Sequence, residues 1–131
     1  MSMEDYRKAY KAGKREYQSR LLRGQKPTLE VLDDILPNEA LSKENLGLVQ
    51  IPLSQIVGTR YEGRSSAFAA NFMPLLEERT EFSIKWANLC KAHETEGIHD
   101  AIKAWEYMNK FYVEEGNKRV SVMKYFGADS I

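Results

Sequence analysis

A single cysteine, Cys90, in 131 residues rules out an internal disulfide and points to a reducing compartment rather than a stapled secreted scaffold. No apolar run approaches the roughly eighteen residues that a membrane-spanning helix needs, and the N-terminus lacks the apolar centre of a signal peptide. A cytoplasmic location without a membrane is therefore the expectation. An excess charge of one sign is also missing, since 19 Lys and Arg balance 19 Asp and Glu. Without a global attraction to nucleic acid, a strongly basic DNA reader is disfavoured. The only two histidines are His93 and His99, and their spacing converges on neither a helix face nor a strand face. Glu94, Glu96 and Asp100 beside them read as solvated charges, so no metal site is expected.

What is present suits a folded module. An apolar fraction of 43% is ordinary for a globular protein, and the length fits one domain with a real core. Charge is unevenly spread: residues 1–26 hold eight Lys or Arg against three acids, and residues 27–45 hold five acids against one Lys. Ser2 can cap a first helix with Met3, Tyr6, Tyr10, Gly13, Tyr17 and Leu21 at three- to four-residue spacing, ending near Gly24. Its tyrosine stripe suits packing against the domain, with a homodimer or partner-protein contact as the alternative. Residues 27–37 read as a short acidic connection or helix around Leu29, Leu32 and Ile35, and residues 37–47 as linker.

From Leu48 the alternation through Val49 and Ile51 predicts a strand, with Ser54 opening a short turn. Residues 58–66 read as a polar loop bearing Arg60 and Arg64. Thr80 caps an amphipathic helix over 80–96 in which Phe82, Trp86, Leu89 and Cys90 share a face, ended by Gly97. In that stripe Cys90 is a small core residue rather than a nucleophile. Residues 98–108 suit either a helix or a strand by spacing. The expected core is Ile51, Phe82, Trp86, Leu89, Ile102, Val113, Val122 and Phe126.

Residues 111–127, FYVEEGNKRVSVMKYFG, carry the most chemistry. A β-branched and aromatic strand runs into Gly116, two cations follow, and a helix opens over 118–126. At a helix start, free amide N–H groups and the positive end of the dipole converge with Lys118 and Arg119. Two cations there are electrostatically awkward unless an anion sits among them, and a phosphate fits. The alternative is a strand-to-helix turn with solvated charges. Glu114 and Glu115 fall on opposite strand faces, which argues against a paired general acid and base.

This segment resembles the GERR-type turn of the ParB/sulfiredoxin-like superfamily. Ile51-Pro52-Leu53-Ser54-Gln55-Ile56 resembles the strand and turn that open the ParB N-terminal domain, and residues 82–102 resemble its helix, turn and strand. A narrower likeness is to ParB-like segments at the front of some bacterial substrate-binding components of basic-membrane-protein-type ABC transporters, in the phrases at 31–37, 68–76 and 112–128. The resemblance implies an α+β fold: a small mixed sheet from strands near Leu48, Ala101 and Phe111, with Asn109-Lys110 as a hairpin turn, flanking helices and an extra N-terminal helix. Residues 1–46 would form the N-terminal helix and acidic linker, and 47–131 the domain, cut short at its C-terminus where the family continues into a metal-associated motif and a DNA-reading element.

It further implies a regulatory module recognising a phosphate-bearing small molecule, a nucleotide with Mg2+ in the fullest case. Gly116, Asn117, Lys118 and Arg119 would form the cradle, Arg64 would assist, and Glu115 would serve as a metal-binding group or acid. Asn117 stands where sulfiredoxin has its cysteine, so sulfinic-acid reduction is not implied. Asn117 and Lys118 also depart from the Glu and Arg of GERR, which removes bidentate phosphate geometry at position 118. Nucleotide hydrolysis or phosphoryl transfer, and a non-catalytic accessory domain, are the competing functions.

Overall fold

A computed structural model of the chain describes residues 3–36, 45–97 and 100–131. The elements are α1 (Met3–Leu22), β1 (Glu30–Val31), α2 (Leu32–Ile35), β2 (Ile56–Thr59), α3 (Glu81–Thr95), β3 (Lys103–Tyr107), β4 (Lys110–Glu115) and α4 (Asn117–Tyr125). The four strands form one sheet in the order β1-β2-β4-β3. β1 and β4 each pair parallel with β2, while β3 and β4 form an antiparallel hairpin. The result is a mixed α+β fold with flanking helices. No helix among the described residues is long and apolar enough to cross a membrane.

The ambiguous stretch at 98–108 resolves to a strand from Lys103, and the hairpin explains why. Met108 and Asn109 take positive φ (53° and 65°), the pair of left-handed residues that a two-residue hairpin turn requires. The turn thus lies one residue earlier than Asn109-Lys110, and Lys110 already belongs to β4. Ile98 and His99 fall outside the described residues.

The expected strand near Leu48 is a correction. Residues 45–50 are exposed and outside the sheet. The chain first finds partners at Ile51 and Leu53, which bond to the carbonyls of Ile131 and Asp129 at 2.9 Å. The strand comes later, at Ile56–Thr59, and its last two residues fall in what the sequence suggested was a loop from Gly58. Gly58 is not a breaker there: an added Cβ would run into the Glu30 carbonyl and lie 3.0 Å from Tyr112. The residue is small because β1 crosses close beside it.

β1 was also unanticipated, since 27–37 suggested a connection or helix. Only Leu32–Ile35 is helical, and Leu29 and Val31 are buried. The part of the expected linker at 37–44, like the Ser2 cap, falls outside the described residues.

Two apolar clusters hold the layers. Leu29, Ile51, Ile56, Phe68, Phe72, Val113 and Val120 lie with the sheet, whereas Tyr6, Ala9, Met73, Trp86, Cys90 and Val122 join α1, α3 and α4. α4 therefore contributes to both, through Val120 and Val122. Phe82, Leu89 and Ile102 are half-buried as flanking contacts. Phe126, expected in the core, is 37% exposed. It lies just past the end of α4 and stacks on His93 at 4.6 Å instead. α1 turns Tyr6, Ala9 and Gly13 inward. Gly13 allows the helix to lie against the backbone of Met73 and Pro74, whose atoms occupy the space of a Cβ.

Candidate functional site

β4 ends at Glu115, Gly116 turns the chain with φ 107° and ψ 23°, and α4 starts at Asn117 without a side-chain cap. The first helical hydrogen bond runs from Val120 N to Gly116 O at 3.0 Å, so the amides of 117–119 lie ahead of it. β2 and β4 run parallel, and their carboxyl ends, Thr59 and Glu115, meet at this turn. Carboxyl ends of parallel strands leading into helix N-termini are where open sheets hold ligands.

A cavity of about 590 Å³ opens here, lined on α3 by Phe82, Lys85, Asn88 and Leu89, and at the turn by residues 114–119. That volume lies in the range of small-molecule pockets. Three cationic side chains, Lys85, Lys118 and Arg119, share the wall with Glu114 and Glu115. Lys85 and Asn88 were not anticipated. Their signal was their spacing on α3, which only the packing of α3 against α4 relates to position 118.

The structure gives each anticipated residue a place. Lys118 holds its ammonium 5.1 Å from the Phe82 ring centroid. Arg119 Nη1 donates to the Ala101 carbonyl at 2.7 Å, which anchors the base of β3 to α4. Asn117 turns inward: it is 8% exposed, and its Nδ2 donates to Thr59 Oγ1 at 3.3 Å. Thr59 Oγ1 in turn donates to the Val113 carbonyl at 3.0 Å. Asn117 Oδ1 is buried with no hydrogen-bond partner.

Gly116 would, with a Cβ, come within 2.5 Å of Ile102 Cγ2. The direction a side chain would take from this glycine is filled by Ile102, while the glycine itself lines the cavity. Glu115 is exposed at the rim. Arg64 lies in the 3-10 turn Glu62–Ala67, before Phe68, another cavity-lining residue.

Glu114 lines the cavity, yet its carboxylate is committed elsewhere. Trp105 Nε1 donates to it at 2.7 Å, Lys103 Nζ lies at 3.0 Å and Arg60 Nη1 at 3.7 Å. The Trp105 hydrogen bond, followed by that of Lys103, holds its pKa below the usual carboxylate range. Arg60 also lies 4.2 Å from the Trp105 ring centroid. Arg60, read from the sequence as a residue of a polar loop, is thus part of an ion-pair and cation-π cluster.

Cys90 is 1% exposed. Burial, then Asp5, then Glu94 push its thiol up to about 12, the opposite of what a nucleophile needs. Sγ lies 3.5 Å from Asp5 Oδ2 and 3.7 Å from Glu94 Oε1. The three ligand atoms lie within 4.8 Å of one another, an assembly of metal-compatible donors that the sequence did not suggest.

Tyr125 is raised in the same way, by burial and then by its hydrogen bond to Asp5, and Tyr6 chiefly by burial. An acid whose pKa is higher folded than unfolded favours the folded state fully below the unfolded value. That contribution fades as pH rises and the unfolded chain alone ionises. Denaturant melts should therefore lose stability from about pH 8.5, the free-thiol value, toward about 12. Cys90→Ala should flatten the first part of that decline, and an unchanged profile would contradict the burial of the thiol. Iodoacetamide should label native Cys90 only on unfolding.

No family model, curated protein or solved structure matches the chain.

Proposed function

We propose that the cavity at the start of α4 binds a phosphate-bearing small molecule, in the fullest form a nucleotide with Mg2+, and that the chain acts as a ligand-responsive regulatory module of ParB-like type. The observation that carries this reading is the convergence of Lys85, Lys118 and Arg119 on one cavity beside the opening amides of α4. Glu81 Oε1 lies 3.0 Å from Lys85 Nζ and offsets part of the repulsion among the three cations; an anion among them at the positive end of the helix dipole removes more of it. Lys118 would act as a point charge, while Arg119 would keep one guanidinium nitrogen on Ala101 and offer the rest of its fork. Glu115 is the rim carboxylate available to a metal-bound phosphate.

Calorimetric titration with inorganic phosphate, CTP and ATP, each with and without Mg2+, tests the reading. Arg119→Ala should weaken binding by roughly 1.5–3 kcal/mol, the scale of a hydrogen bond to a charged group, and added salt should weaken it further. Absence of binding at millimolar ligand would sink it. Release of phosphate from a nucleotide would make the module an enzyme.

A scaffold reading has its own support. Arg119 ties α4 to Ala101, and Asn117 ties it to Thr59. Two of the four cradle residues therefore already have structural work. On that reading Arg119→Ala lowers stability and leaves no ligand affinity to change.

A further inference from the structure

Away from the α4 cavity, two helices bring metal-compatible donors to one spot. Cys90 and Glu94 lie four residues apart on α3 and so share a face of that helix, and α1 packs against it and supplies Asp5. Cys90 Sγ lies 3.5 Å from Asp5 Oδ2 and 3.7 Å from Glu94 Oε1. Tetrahedral zinc, with Zn–S of about 2.3 Å and Zn–O of about 2.1 Å, separates sulfur from oxygen by about 3.5–3.6 Å. Both sulfur-to-oxygen edges already have close to that length.

A thiol holds one proton, which it can share with one carboxylate only. To the other the sulfur presents a lone pair, so two acceptors face each other where Cys90 is 1% exposed. A cation resolves that opposition. Asp5 is also oriented from outside the group: Tyr125 Oη donates to Asp5 Oδ1 at 2.8 Å, which leaves Oδ2 toward the sulfur, as outer partners orient metal-binding carboxylates. The donors grade from buried Cys90 through half-buried Asp5 to exposed Glu94. A metal would therefore enter from the Glu94 side, where a water completes its coordination.

We propose that Asp5, Cys90 and Glu94 form a site for a divalent metal of zinc type that clips α1 to α3. A thiolate beside two carboxylates disfavours Mg2+ and Ca2+, which take oxygen shells, and suits Zn2+. Binding exchanges the thiol proton, which leaves to solvent, for a metal–sulfur bond. The site shares no residue with the α4 cavity, and neither proposal depends on the other.

The test uses the intact, reduced chain, cleared of metal by a chelator that is then removed and titrated with Co2+ and Zn2+. Co2+ should saturate at one equivalent with a thiolate-to-metal absorption band in the near ultraviolet. Zn2+ should displace it, release about one proton at neutral pH and raise the melting temperature. Cys90→Ser should remove the band. Glu94→Gln and Asp5→Asn should each weaken Zn2+ binding at least about 10-fold, the scale on which even outer partners act; Asp5→Asn keeps an acceptor for Tyr125. Absence of the band and of a melting shift at millimolar metal overturns the proposal. So does loss of binding in Cys90→Ser with full affinity in both carboxylate variants, which would mean an adventitious ion only, held by a single thiol. If Cys90→Ser does not fold, Glu94→Gln, a change at an exposed side chain, carries the test: weakened binding supports the site, and unchanged affinity overturns it.

Discussion

Trp86→Ala should destabilise the protein by about 3–5 kcal/mol, the cost of emptying a large aromatic site in a close-packed core. Trp86 is fully buried and meets the rings of Tyr6 and Tyr125 edge-on, each at 5.5 Å between centroids. It is thus a contact through which α3 holds both α1 and α4. Its Nε1 donates to Ser121 Oγ at 2.8 Å, and Ser121 Oγ donates onward to the Phe72 carbonyl at 2.6 Å. Alanine removes the aromatic volume and strips Ser121 of its donor at once. Trp86→Phe keeps most of the volume and loses only the N–H, so its cost should be nearer 1 kcal/mol. Urea melts compare the three proteins. Since a domain of this size has only some 5–15 kcal/mol in total, a loss below about 1 kcal/mol for the alanine variant would mean that this stripe does not hold the helices together.

The longer helices were legible because their signals are local, whereas residues 98–108 suited a helix or a strand equally by spacing and only the resemblance favoured the hairpin. Thr80 caps α3 through its side chain, accepting from Ser83 N at 3.1 Å, and the apolar spacing that follows places Trp86 and Cys90 inward. β1 and the true position of β2 were hidden because their cause is not local. β1 is two residues long, and Gly58 looks like a turn former until β1 is placed beside it. The same holds for the site. The sequence put Gly116 at a turn opening a helix, and the structure gives that turn a φ of 107°. It could not show that Asn117 faces Thr59, 58 positions away in the chain, or that Lys85 from α3 joins Lys118 on one cavity wall. Long-range pairing decides both, and hydrophobic periodicity carries no information about it.

Gly116→Val should lower stability by an amount on the order of 2–6 kcal/mol, and should do so in the absence of any ligand. One part is backbone strain: φ 107° is a conformation that L residues rarely adopt, and a β-branched one least of all, at about 1–3 kcal/mol. The other is overpacking. A Cβ at this position would lie 2.5 Å from Ile102 Cγ2 and 3.0 Å from Ile102 Cβ, and forcing atoms into a filled site costs a further 1–3 kcal/mol or so. A phosphate cradle by itself calls for a small residue so that a ligand can approach the backbone. Here the neighbour that excludes a side chain is Ile102, which connects the turn to the base of β3. The two causes separate in a double variant. Gly116→Ala should cost less than valine, and adding Ile102→Ala to it should recover the overpacking part while leaving the strain. Urea melts of the parent, Gly116→Ala, Ile102→Ala and the double variant give the coupling directly. Strict additivity would show that Ile102 does not occupy the site. A Gly116→Val protein as stable as its parent, with only phosphate affinity lost, would instead assign this glycine to the ligand.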